Sequence, residues 1–514
     1  MEGPSKWAWL LKVASLILIS GIGRTVALWD CRGNVTYVEC RGKNLSTLPN
    51  TDDLVTHLDT SQNNLQKIES LQYPELVFLN MSNNLIYHIH NDAFEGMGNL
   101  KTLDLSFNAL SGSNFTEDTF ANLVALEALY LQGNPISAIR VRTLDSQAMP
   151  KLKLLDLSFC GLVQLSGFAD SDIQYLDFLS LRGNRLTEAD IDVFQGVSFL
   201  EKLDMRDNPI HRINKQPFYH LFHLRELLLD SCQISTLGED AFVGLDNLQV
   251  LSLRNNSLSE LHWKSLLPLD KLQELILSEN PIKIIDTNFV LNVKHINWMV
   301  QTLRMDNMPY LNSIGQDAFS NLQELSVISL VNNSLLTSIS ASAFRIPYGS
   351  LKTIYLTNSG LSTLPSDAMD WDNLQWVDMR GNPWYCDCKF RWIFYVKGIT
   401  NKTSPIICQG PAEYYGAELL RLSPGSLGCV NRAAKVALGI LLIACICMAL
   451  GFGVYFILQW RRKSRYTMKD VMCCACVRKK DERYISVYQN DDFEPFARIT
   501  FTDEDDRSKT AVDV

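Results

Sequence analysis

The side chains that could do chemistry in this chain of 514 residues are its thirteen cysteines, eight histidines and scattered carboxylates, and their spacing decides which chemistry is open. No stretch reads G-x-S-x-G or H-E-x-x-H, and none forms a glycine-rich loop that could cradle a phosphate, so no enzyme constellation is in view. His220 and His223 could be brought close, but two histidines on the convex side of a turn are surface residues far more often than ligands, and no metal is expected. Neither a cofactor nor catalysis is expected. Charged residues make up 20% and the formal net charge is −9, without the basic excess that nucleic-acid binding needs. The cysteines fall into separated groups: Cys31 and Cys40 near the start, then Cys386, Cys388, Cys408 and Cys429, then five from Cys445 onward, the distribution of a chain that crosses compartments.

Leucine spacing supplies the elements that must position everything else. Leu224 to Asn247, LRELLLDSCQISTLGEDAFVGLDN, reads L-x-x-L-x-L-x-x-(N/C)-x-L, with Leu224, Leu227, Leu229 and Ile234 apolar, Cys232 in the polar slot and Phe242 closing the convex side. Leu200, Leu248 and Leu272 restart it at 24-residue intervals. Alternation in the first half makes a short strand with one buried face, and the second half returns the chain to the next strand. One unit cannot offset its own ordering entropy, so stability must come from stacking. Fourteen units follow, starting at Val55, Leu76, Leu100, Leu126, Leu152, Leu176, Leu200, Leu224, Leu248, Leu272, Val300, Leu325, Leu351 and Leu374. The longest, from Leu272 to Val300, is expected to bulge around Trp298, and the two from Val300 and Leu325 carry one extra residue after the slot. The slot holds asparagine in ten units, whose amides can form a ladder with neighbouring backbone, while Met308 and Ser359 interrupt it. Cys160 and Cys232 share the slot three units apart, roughly 14 Å at about 4.8 Å per strand, so both read as buried thiols. The fold class expected is an α/β-type solenoid, a leucine-rich-repeat horseshoe with a closed cap at each end and one membrane helix.

The ends are marked by cysteine. Cys31 and Cys40 flank NVTYVE and would staple a small hairpin over the open edge of the first strand. After the last unit comes NPWYCDCKFRW, with Cys408 and Cys429 downstream, and these four cysteines permit three pairings. The repeats together with N-P-W-x-C-D-C resemble the ectodomains of extracellular leucine-rich-repeat receptors. That resemblance implies Cys386 paired with Cys408 and Cys388 with Cys429. A 24-residue unit with a convex phenylalanine is also similar to Toll-like receptor ectodomains.

Flanking segments give the topology. Residues 1–27 read as a secretory signal, residues 28–50 as the N-terminal cap, 51–382 as repeats, 383–430 as the C-terminal cap, 436–458 as a transmembrane helix and 461–514 as a cytoplasmic tail, largely disordered. Arg461, Arg462, Lys463 and Arg465 follow the apolar run directly, which places the tail in the cytoplasm and the repeats outside the plasma membrane. Seven N-x-S/T sequons, at Asn34, Asn44, Asn80, Asn114, Asn255, Asn332 and Asn401, all fall on the outer side. Cys473, Cys474 and Cys476 lie in the basic half of the tail, where S-palmitoylation is expected. Tyr484 begins YISV, similar to endocytic signals, Tyr488 begins YQN, similar to phosphotyrosine sites read by adaptors, and Val512 and Val514 fit a C-terminus captured by PDZ domains.

Function is expected on the concave sheet. There Tyr130, Leu154, Phe159 and Phe178, read as coming from three successive strands, form an aromatic patch of the kind that binds a partner. Arg182, Arg206, Arg254, Arg304 and Arg380 share that face with Asp156, Asp204 and Asp230, a mixture that suits a protein ligand better than a polyanion. The expected ligand site is Tyr130, Leu154, Phe159, Phe178, Arg182 and Arg206. The expected function is a type I cell-surface receptor or adhesion protein that binds an extracellular protein ligand or co-receptor and recruits adaptors through its short tail. The alternatives are an accessory receptor in innate recognition and a membrane tether for a secreted growth factor.

Overall fold

Each repeat contributes a strand of three residues whose middle side chain points inward, and stacking those strands makes the molecule. The computed structural model describes residues 31–49, 53–138, 148–165, 173, 175–187, 194–214, 216–261, 263–286, 299–346, 349–428 and 432–472. It divides into two compact units, Met1–Cys429 and Val430–Val514. The first unit carries one sheet of sixteen strands: an antiparallel hairpin, Arg32–Gly33 with Tyr37–Glu39, then parallel strands from His57–Asp59 to Trp376–Asp378. The fourteen parallel strands are the fourteen units read from leucine spacing, in register, so that Leu203, Leu227, Leu251 and Leu275 are direct neighbours. All four are buried. Two-residue strands such as Arg212–Ile213 and Thr236–Leu237 form short parallel sheets on the outer side.

Two further columns hold the stack together. The convex phenylalanines stack ring on ring, Phe194 to Phe218 at 6.1 Å and Phe218 to Phe242 at 6.3 Å, all buried. The slot asparagines form the expected ladder: Asn208 donates from Nδ2 to the carbonyls of Leu181 and Met205, each at 2.9 Å, and accepts at Oδ1 from the Leu186 N–H at 3.1 Å. The slot amides thereby pair buried backbone groups of one turn with those of the next. Cys232 keeps half of this, donating from Sγ to the Met205 carbonyl at 3.2 Å, and burial pushes its thiol up to about 12. Cys160 does the same with Leu131, and its thiol is likewise at about 12. Both are free and buried, so neither is a thiolate at neutral pH.

The caps close the exposed ends of the stack. Cys31 and Cys40 are bonded across the hairpin that covers the first strand. At the other end Trp384 is fully buried, donates from its indole N–H to the Met379 carbonyl at 2.8 Å and meets Phe390 edge-on at 5.2 Å. Cys386 is bonded to Cys408, the pairing the resemblance implied. Cys388 is also disulfide-bonded; Cys429 lies outside the described residues. The extra residue in two repeats is ejected outward, leaving Tyr310 and Leu335 about half exposed at 53% and 50% while Leu311 and Leu336 fill the core. The segment around Trp298 expected to bulge lies outside the described residues.

Among its described residues the second unit is one α-helix, Arg432–Met472, of 41 residues. Within it Val436–Arg462, whose most apolar 18-residue stretch has a mean hydropathy of 2.6, is long and apolar enough to cross a membrane. At 1.5 Å per residue the whole helix is about 60 Å, twice the roughly 30 Å of a hydrocarbon core, so it extends past the apolar run expected at 436–458. Residues 1–30 and 473–514, with the expected signal segment, Cys473, Cys474, Cys476, Tyr484, Tyr488, Val512 and Val514, lie outside the described residues.

Candidate functional site

The concave face is built from the two outward residues of each strand, and two rows run along it. In the first, Leu154 lies directly beside Phe178, which lies beside Lys202. In the second, Tyr130 sits between Asp104 and Asp156. Leu154, Phe178 and Tyr130 are all half-buried, so they form one diagonal patch over three adjacent strands. Lys202 places its ammonium 5.7 Å from the Phe178 ring centre while pairing with Glu226 at 2.8 Å, so the cation belongs to its neighbours.

Phe159 is not on a strand. It follows Leu154–Asp156 in the turn, with φ of 56°, and its ring is 53% exposed. The expectation that it shares the strand surface is therefore corrected: period-two alternation ends at Leu157, and the next residues curl into a left-handed turn. The same position is left-handed in every repeat, and in two of them the occupant is glycine where the preceding repeat has phenylalanine. Phe107 precedes Gly133 and Phe159 precedes Gly183, and a Cβ built on either glycine would lie 2.6 Å and 2.3 Å from the respective ring. Glycine at this position lets each ring lie flat against the next turn. Phe107, 51% exposed, thus joins the candidate site, which residue-by-residue alternation had missed. Its signal was present in the sequence as SFN followed by QGN, and SFC followed by RGN. The Arg182 guanidinium lies 5.7 Å from the Phe159 ring centre and pairs with Asp207 at 2.6 Å.

Electrostatics along the second row are acidic. Asp104 accepts from the Ser106 N–H at 2.9 Å, yet burial holds its carboxyl above the usual range, with the nearby Asp59 and Asp156 adding to the shift. Burial, with the two flanking carboxylates Asp104 and Asp156, raises the Tyr130 phenol. Asn80, a sequon residue, stands in this row between Asp59 and Asp104, and its Oδ1 accepts from the Ser82 N–H and hydroxyl at 2.9 and 2.7 Å. Each arginine of the face is engaged: Arg206 by Asp204 at 2.6 Å, Arg254 by Glu279 at 2.5 Å, Arg304 by Glu274 at 2.7 Å and Arg380 by Asp378 at 2.7 Å. These pairs are the reason the face does not present a free cation array.

Of the other candidates, Asn34, Asn44, Asn255, Asn332 and Asn401 are exposed and Asn114 is half-buried. Asn255 donates to Ser231 at 2.9 Å, while Asn332 sits between Asn307 and Asn358 in a surface amide chain at 3.1 and 3.0 Å. His223 lies at the entry to its strand, stacked on Phe199 at 4.8 Å. Among the described residues no group of three His, Cys, Asp or Glu is placed to hold a metal.

Comparison with known proteins agrees with this architecture. A leucine-rich-repeat family model matches residues 74–136, 174–234 and 222–282, and a BspA-type leucine-rich-repeat model matches 300–383. Mouse (Mus musculus) CD180 antigen is 27% identical over 186 residues, covering 31% of this chain and 28% of that protein. Mouse Toll-like receptor 9 is 31% identical over 165 residues, covering 29% of this chain and 16% of that protein. The chain thus spans less than a third of the length of either relative. The solved Toll–Spätzle complex of Drosophila aligns at 19% identity with a TM-score of 0.49, covering 73% of this chain and 64% of that one. The chain is a leucine-rich-repeat protein whose repeats are homologous to Toll-like-receptor-type ectodomains, with one apolar helix near its C-terminus.

Proposed function

We propose that the chain is a type I cell-surface receptor of the plasma membrane, acting as an accessory receptor in innate recognition, and that it binds an extracellular protein ligand on Tyr130, Leu154, Phe178, Phe159 and the newly added Phe107. The observation that carries this reading is the pair of exposed rings held flat on Gly133 and Gly183 beside Tyr130. The left-handed turn is common to every repeat, but large rings kept exposed on it side by side with glycine are not explained by packing alone. The acidic row next to them favours a ligand that presents lysine or arginine beside an apolar anchor.

In this reading residues 1–27 direct secretion, the seven sequons carry glycans, and Val436–Leu458 is the anchor. The tail works through recruited partners: palmitate on Cys473, Cys474 and Cys476 holds its basic half on the membrane, Tyr484 and Tyr488 are read by adaptors, and Val512 to Val514 enter a PDZ domain. The Toll-like character of the repeats favours the innate role over adhesion or growth-factor tethering. The test is a screen of the secreted repeats, residues 28–430, against arrayed extracellular proteins and microbial products, repeated with Tyr130→Ala and Phe178→Ala together. A protein ligand lost in the double variant supports the proposal, and a ligand that binds both forms equally overturns it.

A further inference from the structure

Rings also line the N-terminal end of the concave face, outside the ligand patch. Tyr37, His57 and Phe78 occupy the same position on three hydrogen-bonded strands. Their ring centres are 6.2 and 6.0 Å apart, and His57 is stacked on Phe78 at an interplanar angle of 24°. The His57 ring is held by a 2.9 Å bond between Nδ1 and the Thr56 hydroxyl, which itself donates to the Thr36 carbonyl at 3.0 Å. Tyr37 is 47% exposed, His57 is exposed and Phe78 is half-buried, so the stack meets solvent along its length. Thr102 and Ala128 continue the row and separate these rings from Leu154.

One tethered group is placed to cover the stack. Asn80 is the only one of the seven sequon asparagines that stands on a strand. It follows Phe78 by two residues on the same face, about 7 Å away. Its Oδ1 is engaged by the Ser82 N–H and hydroxyl, while its Nδ2, the atom to which a sugar is joined, donates to no group among the described residues. Asn255 and Asn332 differ: they stand in left-handed turns and use Nδ2 in bonds to Ser231 and Asn307. On either side of Asn80 lie Asp59 and Asp104, which accept the N–H groups of Ser61 and Ser106 at 2.8 and 2.9 Å. A carboxylate has more acceptor sites than one N–H fills, so both retain room for hydroxyl donors. A pyranose matches this surroundings on two sides. Its C–H groups carry partial positive charge and suit the negative face of an aromatic ring, and the hydroxyls at its edge donate to carboxylates.

We propose that the glycan of Asn80 lies on this stack, its first sugar against Phe78 and the next over His57 toward Tyr37, and so closes the N-terminal part of the concave face. A protein ligand is thereby steered to the patch around Tyr130 and Phe178. The proposal rests on the reading that the sequons carry glycans, and the two fail separately in the test.

The full chain is expressed on animal cells, and the mass of the Asn80 glycopeptide reports occupancy. An unmodified Asn80 would overturn the reading of this sequon and the proposal together. On the folded chain, release of the Asn80 glycan by an amidase that cleaves the sugar–asparagine bond is expected to be about tenfold slower than release of the Asn332 glycan, because the sugars must first lift off the rings. Enclosure by the concave face would also slow release, so the deciding comparison is Phe78→Ala, which should speed release at Asn80 about tenfold and leave Asn332 unchanged. His57→Ala, a change at an exposed ring, should act in the same direction and guards against a Phe78 variant that folds poorly. Stability is an independent readout. Asn80→Gln should lower the thermal midpoint of the parent chain and leave that of Phe78→Ala unchanged, whereas Asn34→Gln should shift both equally. Release at an occupied Asn80 that ignores both ring changes, or Asn80→Gln and Phe78→Ala shifts that add, would overturn the packing and leave the sequon reading intact.

Discussion

Gly183 governs how Phe159 is presented. Its φ of 67° is one that side chains adopt at a cost, and a Cβ there would lie 2.3 Å from the Phe159 ring. Gly183→Ala should therefore cost about 1 kcal/mol of stability and lift the ring off the turn, weakening ligand binding more than it weakens folding. Comparing thermal midpoint with affinity separates the two effects, and a variant with a lowered midpoint and full affinity would remove Phe159 from the site. Asp104 gives a prediction of opposite sign. Its carboxyl is held high by burial, so the folded state binds its proton more tightly than the unfolded chain does. The stability this group contributes is therefore fully present below the unfolded value near 3.9 and lost as pH rises through the folded one. Asp104→Asn keeps the acceptor for Ser106, as Asn80 does one strand earlier, and removes the desolvated charge. It should raise the thermal midpoint at pH 7 and have little effect at pH 4; an unchanged midpoint at pH 7 would show that solvent already screens the group.

At the scale of the turn, one local pattern accompanies each break in the asparagine ladder up to Met308. The repeat before Cys160 reads Asn134-Pro135-Ile136, the one before Cys232 reads Asn208-Pro209-Ile210, and the one before Met308 reads Asn280-Pro281-Ile282. A slot asparagine normally accepts the N–H two residues past the preceding slot, as Asn208 does from Leu186. A cysteine side chain offers no such oxygen, and the N–H turns back: Ile136 donates to the Asn134 carbonyl at 2.8 Å, and Ile210 to the Asn208 carbonyl at 2.9 Å, shared with the Cys232 backbone carbonyl at 3.1 Å. Proline between them fixes a φ suited to that tight turn. Cys232→Asn alone should therefore destabilise by about 1 kcal/mol, its new oxygen left without a donor, while Cys232→Asn with Pro209→Ser should recover most of that loss. Additive effects of the two changes would break the link. Repeat starts, slot asparagines and caps were legible in the sequence because each answers to a fixed period or to a cysteine. Phe159 was placed on a strand and Phe107 was not singled out, because the turn is aperiodic and its meaning lies in pairs such as Phe159 and Gly183, which are adjacent only after stacking.

For the whole molecule, the caps decide whether a stack exists and the concave patch decides what it does. Cys388 is disulfide-bonded in the segment that carries buried Phe390 and faces buried Trp384, so Cys388→Ala should cost about 2 to 5 kcal/mol and reduce the amount reaching the cell surface. Full surface delivery of that variant would show the cap closed without this bond. The most direct measurement of the central claim is the affinity of the secreted repeats for a protein ligand, compared between two double variants. Tyr130→Ala with Phe178→Ala removes the aromatic patch, whose truncation at an interface centre typically costs 2 kcal/mol or more, about thirtyfold. Arg254→Ala with Arg304→Ala removes two arginines already paired with Glu279 and Glu274 and largely solvated, and should change affinity by less than about fivefold. With thermal midpoints unchanged in both, loss confined to the aromatic pair is the predicted result, and an aromatic pair without effect beside a decisive arginine pair would contradict it.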